Sequence, residues 1–336
     1  MTDTPRREPS PPPEGAPTTA PGVFAARLTP ARPDLAARYL EGRVEADRFA
    51  PGTEHQVTAS VLPLRREPRD DAMQETQSLF GEVFTVYDEK DGWAWGQAAY
   101  DGYVGYVAAE GLSLPVDVPT HRVRALRSYR LPEPDLKAAP LDLLTMSAKL
   151  KITETSEDGK WRRESRGGWV FGEHLIALRD RLADPVAVME AFLGAPYFWG
   201  GRESLGLDCS GLIQNGYEAA GLPVPRDADM QEVYLSAPGR GEAIWTRDAE
   251  DDADGQTDES WRDVPLRRGD LVYWRGHTGV MVDEDVLLHA NATHMAVTRD
   301  PLTEMVAHLN RKKDNPVTRI VRPRPVAEMR TDRSWT

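Results

Sequence analysis

Asp208-Cys209-Ser210-Gly211-Leu212 holds the only cysteine among 336 residues, at a point where a loop gives way to a helix. One thiol has no internal disulfide partner, and one sulfur is a poor start for a structural metal cage. It is better placed as a nucleophile, because the unpaired N–H groups of a helix N-terminus lower a thiol's pKa and can hold a nearby oxyanion. The helix is predicted over 209–220, with Leu212, Gly216 and Ala220 on one stripe and Ile213 and Tyr217 beside it. Gly221 suits its C′ position and Pro223 stops it. Upstream, Asp184-Pro185 marks another helix entry, with Pro at the first helical position. Val186, Val188, Met189, Phe192 and Leu193 follow at helical spacing, and Gly194 ends the run. Downstream, Asp270-Leu271-Val272-Tyr273-Trp274, Val280-Met281-Val282 and Val286-Leu287-Leu288-His289 have the character of strands. Helices followed by strands predict an α+β domain, here over 184–325.

The preceding part contains an internal repeat, which outweighs single propensities. Glu54-His55-Gln56-Val57-Thr58-Ala59 is echoed by Thr120-His121-Arg122-Val123-Arg124-Ala125, and Asp91-Gly92-Trp93 by Asp158-Gly159-Lys160-Trp161. Gly102-Tyr103-Val104-Gly105-Tyr106-Val107 is echoed by Gly167-Gly168-Trp169-Val170-Phe171. Short Val/Thr/Trp/Tyr runs between Gly, Asp and Pro turns predict two small β-barrels, over 51–117 and 118–181. Asp91-Gly92 and Asp158-Gly159 are expected at hairpin turns, where Gly supplies positive φ. Residues 23–50 are expected to form a packing arm with a short helix near Leu35–Leu40. The Pro-rich residues 1–22 are expected to be a disordered tail.

A cysteine nucleophile needs a base, usually histidine. Of seven histidines, His55, His121 and His174 fall in the barrels and His308 in a C-terminal helix-like run, leaving His277, His289 and His294. His277 and His289 flank a predicted hairpin with Asp283-Glu284-Asp285 at its turn. Pairing centred on residue 283 sets 277 directly opposite 289, on one sheet face. One ring would face the thiol and the other would orient it. Each residue also has a plainer reading: Cys209 as small core filling, His277 as a turn residue, His289 as a satisfied core histidine. A zinc site on these three lacks an evident fourth ligand.

The formal net charge of −13 argues against binding nucleic-acid phosphates or an anionic membrane surface. No apolar run reaches bilayer-spanning length, and Arg6-Arg7 is not followed by an export-signal core, so the expected location is cytoplasmic. The acidic stretch 239–263 is read as a solvated loop, with a cleft-side lid or calcium loop as alternatives.

Taken in order, Tyr197-Phe198-Trp199-Gly200-Gly201, Asp208-Cys209-Ser210-Gly211-Leu212, Pro225-Arg226-Asp227-Ala228, Arg268-Gly269-Asp270-Leu271-Val272-Tyr273, Gly276-His277 and Leu288-His289-Ala290 resemble the NlpC-type cysteine peptidases. These are papain-like enzymes that cut bacterial cell-wall peptides. The motif order Asp-Gly-Trp and then Gly-Tyr-x-Gly-Tyr-Val resembles bacterial SH3-like domains, and the combination resembles the subgroup cutting after γ-D-glutamate in L-Ala-γ-D-Glu-diamino-acid peptides. The resemblance implies Cys209 as nucleophile, His277 as base and His289 as polar third member. It implies Tyr197 and the Cys209 N–H beside the oxyanion, and Asp208 and Ser210 on the substrate's backbone or amine. It also implies Tyr103 of the first SH3-like domain meeting the free amino group. The expected partner is a murein peptide with no cofactor or metal, and the chain is expected to act as a monomer. Two alternatives stand beside this reading: a non-catalytic wall-peptide binder, and an acyltransferase or amidase on the same scaffold.

Overall fold

The computed structural model describes residues 26–247, 259–313 and 316–333. The expected tail over 1–22 lies outside the described residues, as does the middle of the acidic stretch. Residues 26–50 lie along the first barrel. Arg32 stacks 4.3 Å from the Trp95 ring centroid and bonds Asp88 at 2.7 Å, while Val104 N–H donates to the Arg27 carbonyl at 2.9 Å. The short helix expected near Leu35–Leu40 is corrected to a two-residue strand, Ala36–Ala37, followed by a single 3₁₀ turn, Arg38–Leu40. The strand pairs in parallel with Phe49–Ala50. Ala36 and Ala37 give their N–H groups to Arg48 and Pro30, so the donors an α-helix requires are spent on other partners.

The internal repeat is realised as two β-units with the same order of strands, except that one strand of the first copy is divided in two in the second. In the first copy, Thr53–Val57, Val61–Arg65, Gln74–Leu79, Val83–Lys90, Trp93–Ala98, Val104–Ala108 and Leu112–Ser113 form one seven-stranded sheet. In the second, His121–Val123, Arg127–Leu131, Asp142–Thr145, Lys149–Leu150, Ile152–Thr155, Trp161–Glu164, Trp169–Phe171 and Leu175–Ala177 divide between a three-stranded and a five-stranded sheet. Both copies place a 3₁₀ turn, Ala109–Gly111 or Gly172–His174, before the last strand. Lys90 pairs with Trp93 across Asp91 and Gly92, both at positive φ, as a two-residue hairpin turn demands. In the second copy Thr155 pairs with Arg162, so the loop around Gly159 is wider.

Val57, Leu64, Phe84, Ala94 and Val107 fill the first core. Val123, Leu144, Leu150 and Val170 fill the second, and Phe80 from the first barrel is inserted among them. Burying such a ring contributes about 1.5–3 kcal/mol. The insertion depends on Gly81: at φ +79° a Cβ there would stand 1.8 Å from the Lys149 carbonyl oxygen.

The third unit carries α1 (Pro185–Glu190), α2 (Cys209–Ala219), α3 (Ala228–Ser236) and α4 (Leu302–Lys313). Its main sheet is built from β1 (Gly241–Thr246), β2 (Leu271–Trp274), β3 (His277–Met281), β4 (Val286–Asn291), β5 (Ala296–Pro301) and β6 (Val317–Pro323), in the order β1-β6-β2-β3-β4-β5, and a separate hairpin pairs Arg202–Glu203 with Gly206–Leu207. Asp184 caps α1 by accepting from the N–H groups of Val186 and Ala187, and Gly221 at φ +87° follows α2. One face of the sheet packs on α1 and α2 through Met189, Leu212, Ile213, Tyr273, Val280 and Leu288. The other packs on α4 through Val272, Trp274, Met281, Leu287, Met305 and Val306. The loop reading of 239–263 is corrected at its start. Residues 241–246 are the edge strand β1, paired with β6, and Ser260–Asp263 is a 3₁₀ turn.

All three units meet at Arg202, which is fully buried. It donates to Gln77 O at 2.8 Å, Glu82 at 3.2 Å and Glu218 on α2 at 3.2 Å. Lys149 of the second barrel reaches the same two carboxylates, at 3.2 and 3.3 Å. The Tyr100 ring lies 4.4 Å from the guanidinium carbon.

Candidate active site

Asp208 ends a loop in extended geometry and caps α2, its carboxylate accepting from Gly211 N–H at 2.7 Å. Cys209 is thus the first residue of the helix, at a turn rich in backbone donors. The strand that faces it explains where the sulfur goes. Along β3, Met281 exchanges hydrogen bonds with the Gly269–Asp270 segment on the β2 side, so the alternate residues Thr278 and Val280 aim their N–H groups at β4. The β3–β4 ladder pairs only Val280 with Leu288 and Met281 with Leu287. The two strands therefore splay before Thr278, whose N–H points to the Cys209 sulfur, as does that of Ser210.

This register corrects the predicted pairing. The turn is Asp283-Glu284-Asp285, with the Asp283 carboxylate accepting from the N–H groups of Asp285 and Val286, but its centre is residue 284. His289 therefore stands opposite Gly279, and His277 is its diagonal neighbour. A two-residue difference preserves the face, because strand side chains alternate with period two. The rings meet: His277 Nε2 lies 2.8 Å from His289 Nδ1. His277 also stacks beside Trp274, with ring centroids 5.5 Å apart.

Burial pushes the Cys209 thiol up to about 12, and the Asp208 charge adds to this; Arg226 and the N–H groups of Thr278 and Ser210 pull the other way. The low thiol pKa expected of a helix N-terminus is thus corrected: desolvation outweighs the helix donors. A thiolate then requires proton transfer to an adjacent imidazole, and His277 stands beside Thr278. Both ring nitrogens of His289 are taken up, since Nε2 lies 2.9 Å from Asp300 Oδ2, which leaves no lone pair for a zinc ion. Among the described residues no cluster of three or more His, Cys, Asp or Glu side chains has a metal-binding arrangement.

Asp208 and Ser210 are engaged within the protein. Arg226 is fully buried and grips the Asp208 carboxylate bidentately at 2.9 and 2.6 Å, also donating to Ser210 Oγ at 2.8 Å and to Thr76 Oγ1 of the first barrel at 2.8 Å. Gly200 N–H completes the carboxylate's set at 2.9 Å. The Tyr197 phenol has its pKa raised by burial first, then by the charges of Cys209 and Asp208, which places it within electrostatic reach of the thiol. Tyr103 is buried in its barrel core, yet its hydroxyl crosses to the third unit and bonds Asp227 Oδ2 at 3.1 Å. Arg27 reaches Asp227 at 2.7 Å and Asp229 at 2.5 Å, and Arg66 pairs with Glu75, whose charge also acts on Tyr103.

Arg226, Asp227 and Asp300 are absent from the sequence-based set. The first two lie in Pro225-Arg226-Asp227-Ala228, quoted above only for its resemblance. Asp300 carries a weaker signal, the alternation of Thr298 and Asp300 on one strand face.

Comparison with known proteins gives two domain matches. Residues 64–112 match the bacterial dipeptidyl-peptidase Sh3 domain, and residues 194–311 match the NlpC/P60 family. A gamma-D-glutamyl-L-lysine dipeptidyl-peptidase of Bacillus subtilis is 26% identical over 266 residues, covering 70% of this chain and 78% of that protein. A Bacillus cereus protein of the same name is 26% identical over 179 residues, covering 47% of this chain and 54% of the relative, about half its length. The crystal structure of an NlpC/P60 family protein from Bacillus cereus aligns with a TM-score of 0.60 at 19% identity, over 82% of this chain and 100% of that one; it shows the shared fold.

Proposed function

We propose that this chain, which carries an NlpC/P60 domain behind bacterial SH3-like domains, is a cysteine endopeptidase. It hydrolyses the γ-D-Glu–diamino-acid bond of murein peptides whose N-terminal L-Ala is free. The observation that carries the reading is the contact of the His277 and His289 imidazoles, 2.8 Å apart, where the residue after His277, Thr278, points its N–H to the Cys209 sulfur at a helix N-terminus. The names of the relatives support the bond assignment.

In this reading His277 Nδ1 takes the Cys209 proton as the sulfur attacks the γ-carbonyl carbon. The C–N bond breaks, the imidazolium passes its proton to the departing amine, and a thioester remains. His277 then activates a water, which releases the acid and restores the thiol. The Cys209 N–H and the Tyr197 hydroxyl stabilise the oxyanion. The substrate's ammonium is read at the end closed by Tyr103 and Asp208, with Ser210 on the adjoining substrate backbone. Among the described residues, the ion pairs of Glu75, Asp208, Asp227 and Asp229 are with three guanidinium groups, those of Arg27, Arg66 and Arg226, and this acidic excess supports recognition of a cation. Such a peptide is small and diffusible, in keeping with wall-peptide recycling in the cytoplasm.

The test is incubation with L-Ala-γ-D-Glu-meso-diaminopimelate and with its N-acetylated form, beside a Cys209→Ser variant. Release of L-Ala-D-Glu from the free peptide only, and by the parent only, is expected. Equal cleavage of both peptides would remove the amine recognition, and an active Cys209→Ser variant would remove the mechanism.

A further inference from the structure

The hydrogen-bond chain does not stop at His289. Beyond it lies Asp300 on β5, whose Oδ2 is 2.9 Å from His289 Nε2 and accepts from Thr298 Oγ1 at 2.6 Å. Thr298 in turn accepts from Asn291 Nδ2 at 2.7 Å, and the Asn291 side-chain Oδ1 accepts from His294 N–H at 2.8 Å. That last bond fixes which way the amide points. His294 approaches the other carboxylate oxygen, at 3.3 Å. The register explains the grouping, because Asn291, His289 and Leu287 on β4 stand opposite Ala296, Thr298 and Asp300 on β5, all on one face.

We infer that Asp300 is a positioning residue that sets the tautomers of both imidazoles, a role that rests on the peptidase reading of the same thiol. The polarity can be followed group by group. The Asn291 amide donates to the Thr298 hydroxyl, so that hydroxyl spends its own proton on Asp300. A carboxylate that has accepted from Thr298 still needs a donor from His289, and Nε2–H is the one in reach. His289 Nδ1 is then unprotonated and accepts from His277 Nε2–H, so in the neutral His277 ring Nδ1 is the unprotonated nitrogen, the tautomer that the peptidase reading needs. The Asn291 nitrogen also lies 3.1 Å from His289 Nε2, but its protons are directed to Thr298 and to the Ala296 carbonyl at 3.5 Å. Two neutral imidazoles alone would have no preferred direction; one anion at the end of the row imposes it. When His277 becomes an imidazolium, that anion also lies two rings away to stabilise it.

The primary test needs no substitution: the ¹⁵N shifts of His289 in the full chain at neutral pH. Protonated Nε2 with unprotonated Nδ1 is expected; the reverse tautomer overturns the proposal. Asp300→Asn should lower kcat about 10- to 100-fold, with KM within about twofold, and should slow iodoacetamide alkylation of Cys209 in parallel. Thr298→Val, which removes only the hydroxyl that turns the carboxylate, should cost about 3- to 10-fold and decides the matter if Asp300→Asn does not fold. Alkylation at the parent rate in a folded Asp300→Asn variant would overturn the proposal. Alkylation requires no peptide, so a parent that alkylates with the expected tautomer and cuts no murein peptide defeats the function reading and leaves this one standing.

Discussion

Replacing Arg226 by methionine would isolate what one buried guanidinium does for the whole site. The side chain is 1% exposed and makes five hydrogen bonds, two of them to the Asp208 carboxylate. Methionine has a similar length and no charge, so the loss is electrostatic more than volumetric. Asp208 would stay in the interior, held only by the Gly200 and Gly211 N–H groups and the Ser210 hydroxyl. Removing one member of a buried ion pair costs about 3–5 kcal/mol, far above the roughly 0–1 kcal/mol of an exposed pair. Urea unfolding followed by tryptophan fluorescence should show that loss as a lowered midpoint at unchanged slope. Adding Asp208→Asn should restore about 2 kcal/mol, because the stranded charge is then gone. A single variant within about 1 kcal/mol of the parent, or strictly additive substitutions, would refute the claim that Arg226 is the counter-charge of the helix cap.

Two further outcomes follow from the titrating groups. If His277 is the base proposed above, in His277→Ala the Cys209 thiol loses its proton acceptor and titrates alone, raised to about 12 by burial. Its alkylation rate should climb about tenfold per pH unit through pH 10, whereas the parent should be nearly flat above neutrality; matching profiles would contradict the assignment of the base. At the seam, burial raises the pKa of Glu82, but Arg202 and Lys149 outweigh it and hold the carboxyl at about 2. Its folded pKa lies below the unfolded value, so its stabilisation is complete above about pH 5 and fades as pH falls toward 2. Glu82→Gln should flatten acid unfolding across that window, and an unaltered acid transition would count against it.

Much of this architecture is legible in the sequence. Leu212, Ile213, Gly216 and Tyr217 repeat at helical spacing behind Asp208, and the Asp91-Gly92 turn lies where two β-runs must reverse. Local chemistry carries those readings. The faces of His277 and His289 follow from period-two alternation even though the predicted register is two residues off. What is not legible depends on segments far apart in the chain. Arg226 acquires its place from Thr76, and Asp300 from the register of β5 on β4. β1 escapes notice because Gly241-Glu242-Ala243-Ile244-Trp245-Thr246 is an edge strand with little alternation to mark it. The Cys209 pKa is misjudged for a related reason: the helix terminus can be seen in sequence, while the extent of desolvation is set by everything packed over it.

Glu82 is answered from two directions, by Arg202 of the third unit and by Lys149 of the second barrel. Three lobes thus hang on one anion, and none can swing away without stranding a charge in the dry interior. The gap between Tyr103 and the sulfur is therefore a built dimension, like the jaw of a caliper set once and locked. Under the proposed function, such a device would measure its peptide instead of closing on it, so that length is judged before any bond is touched.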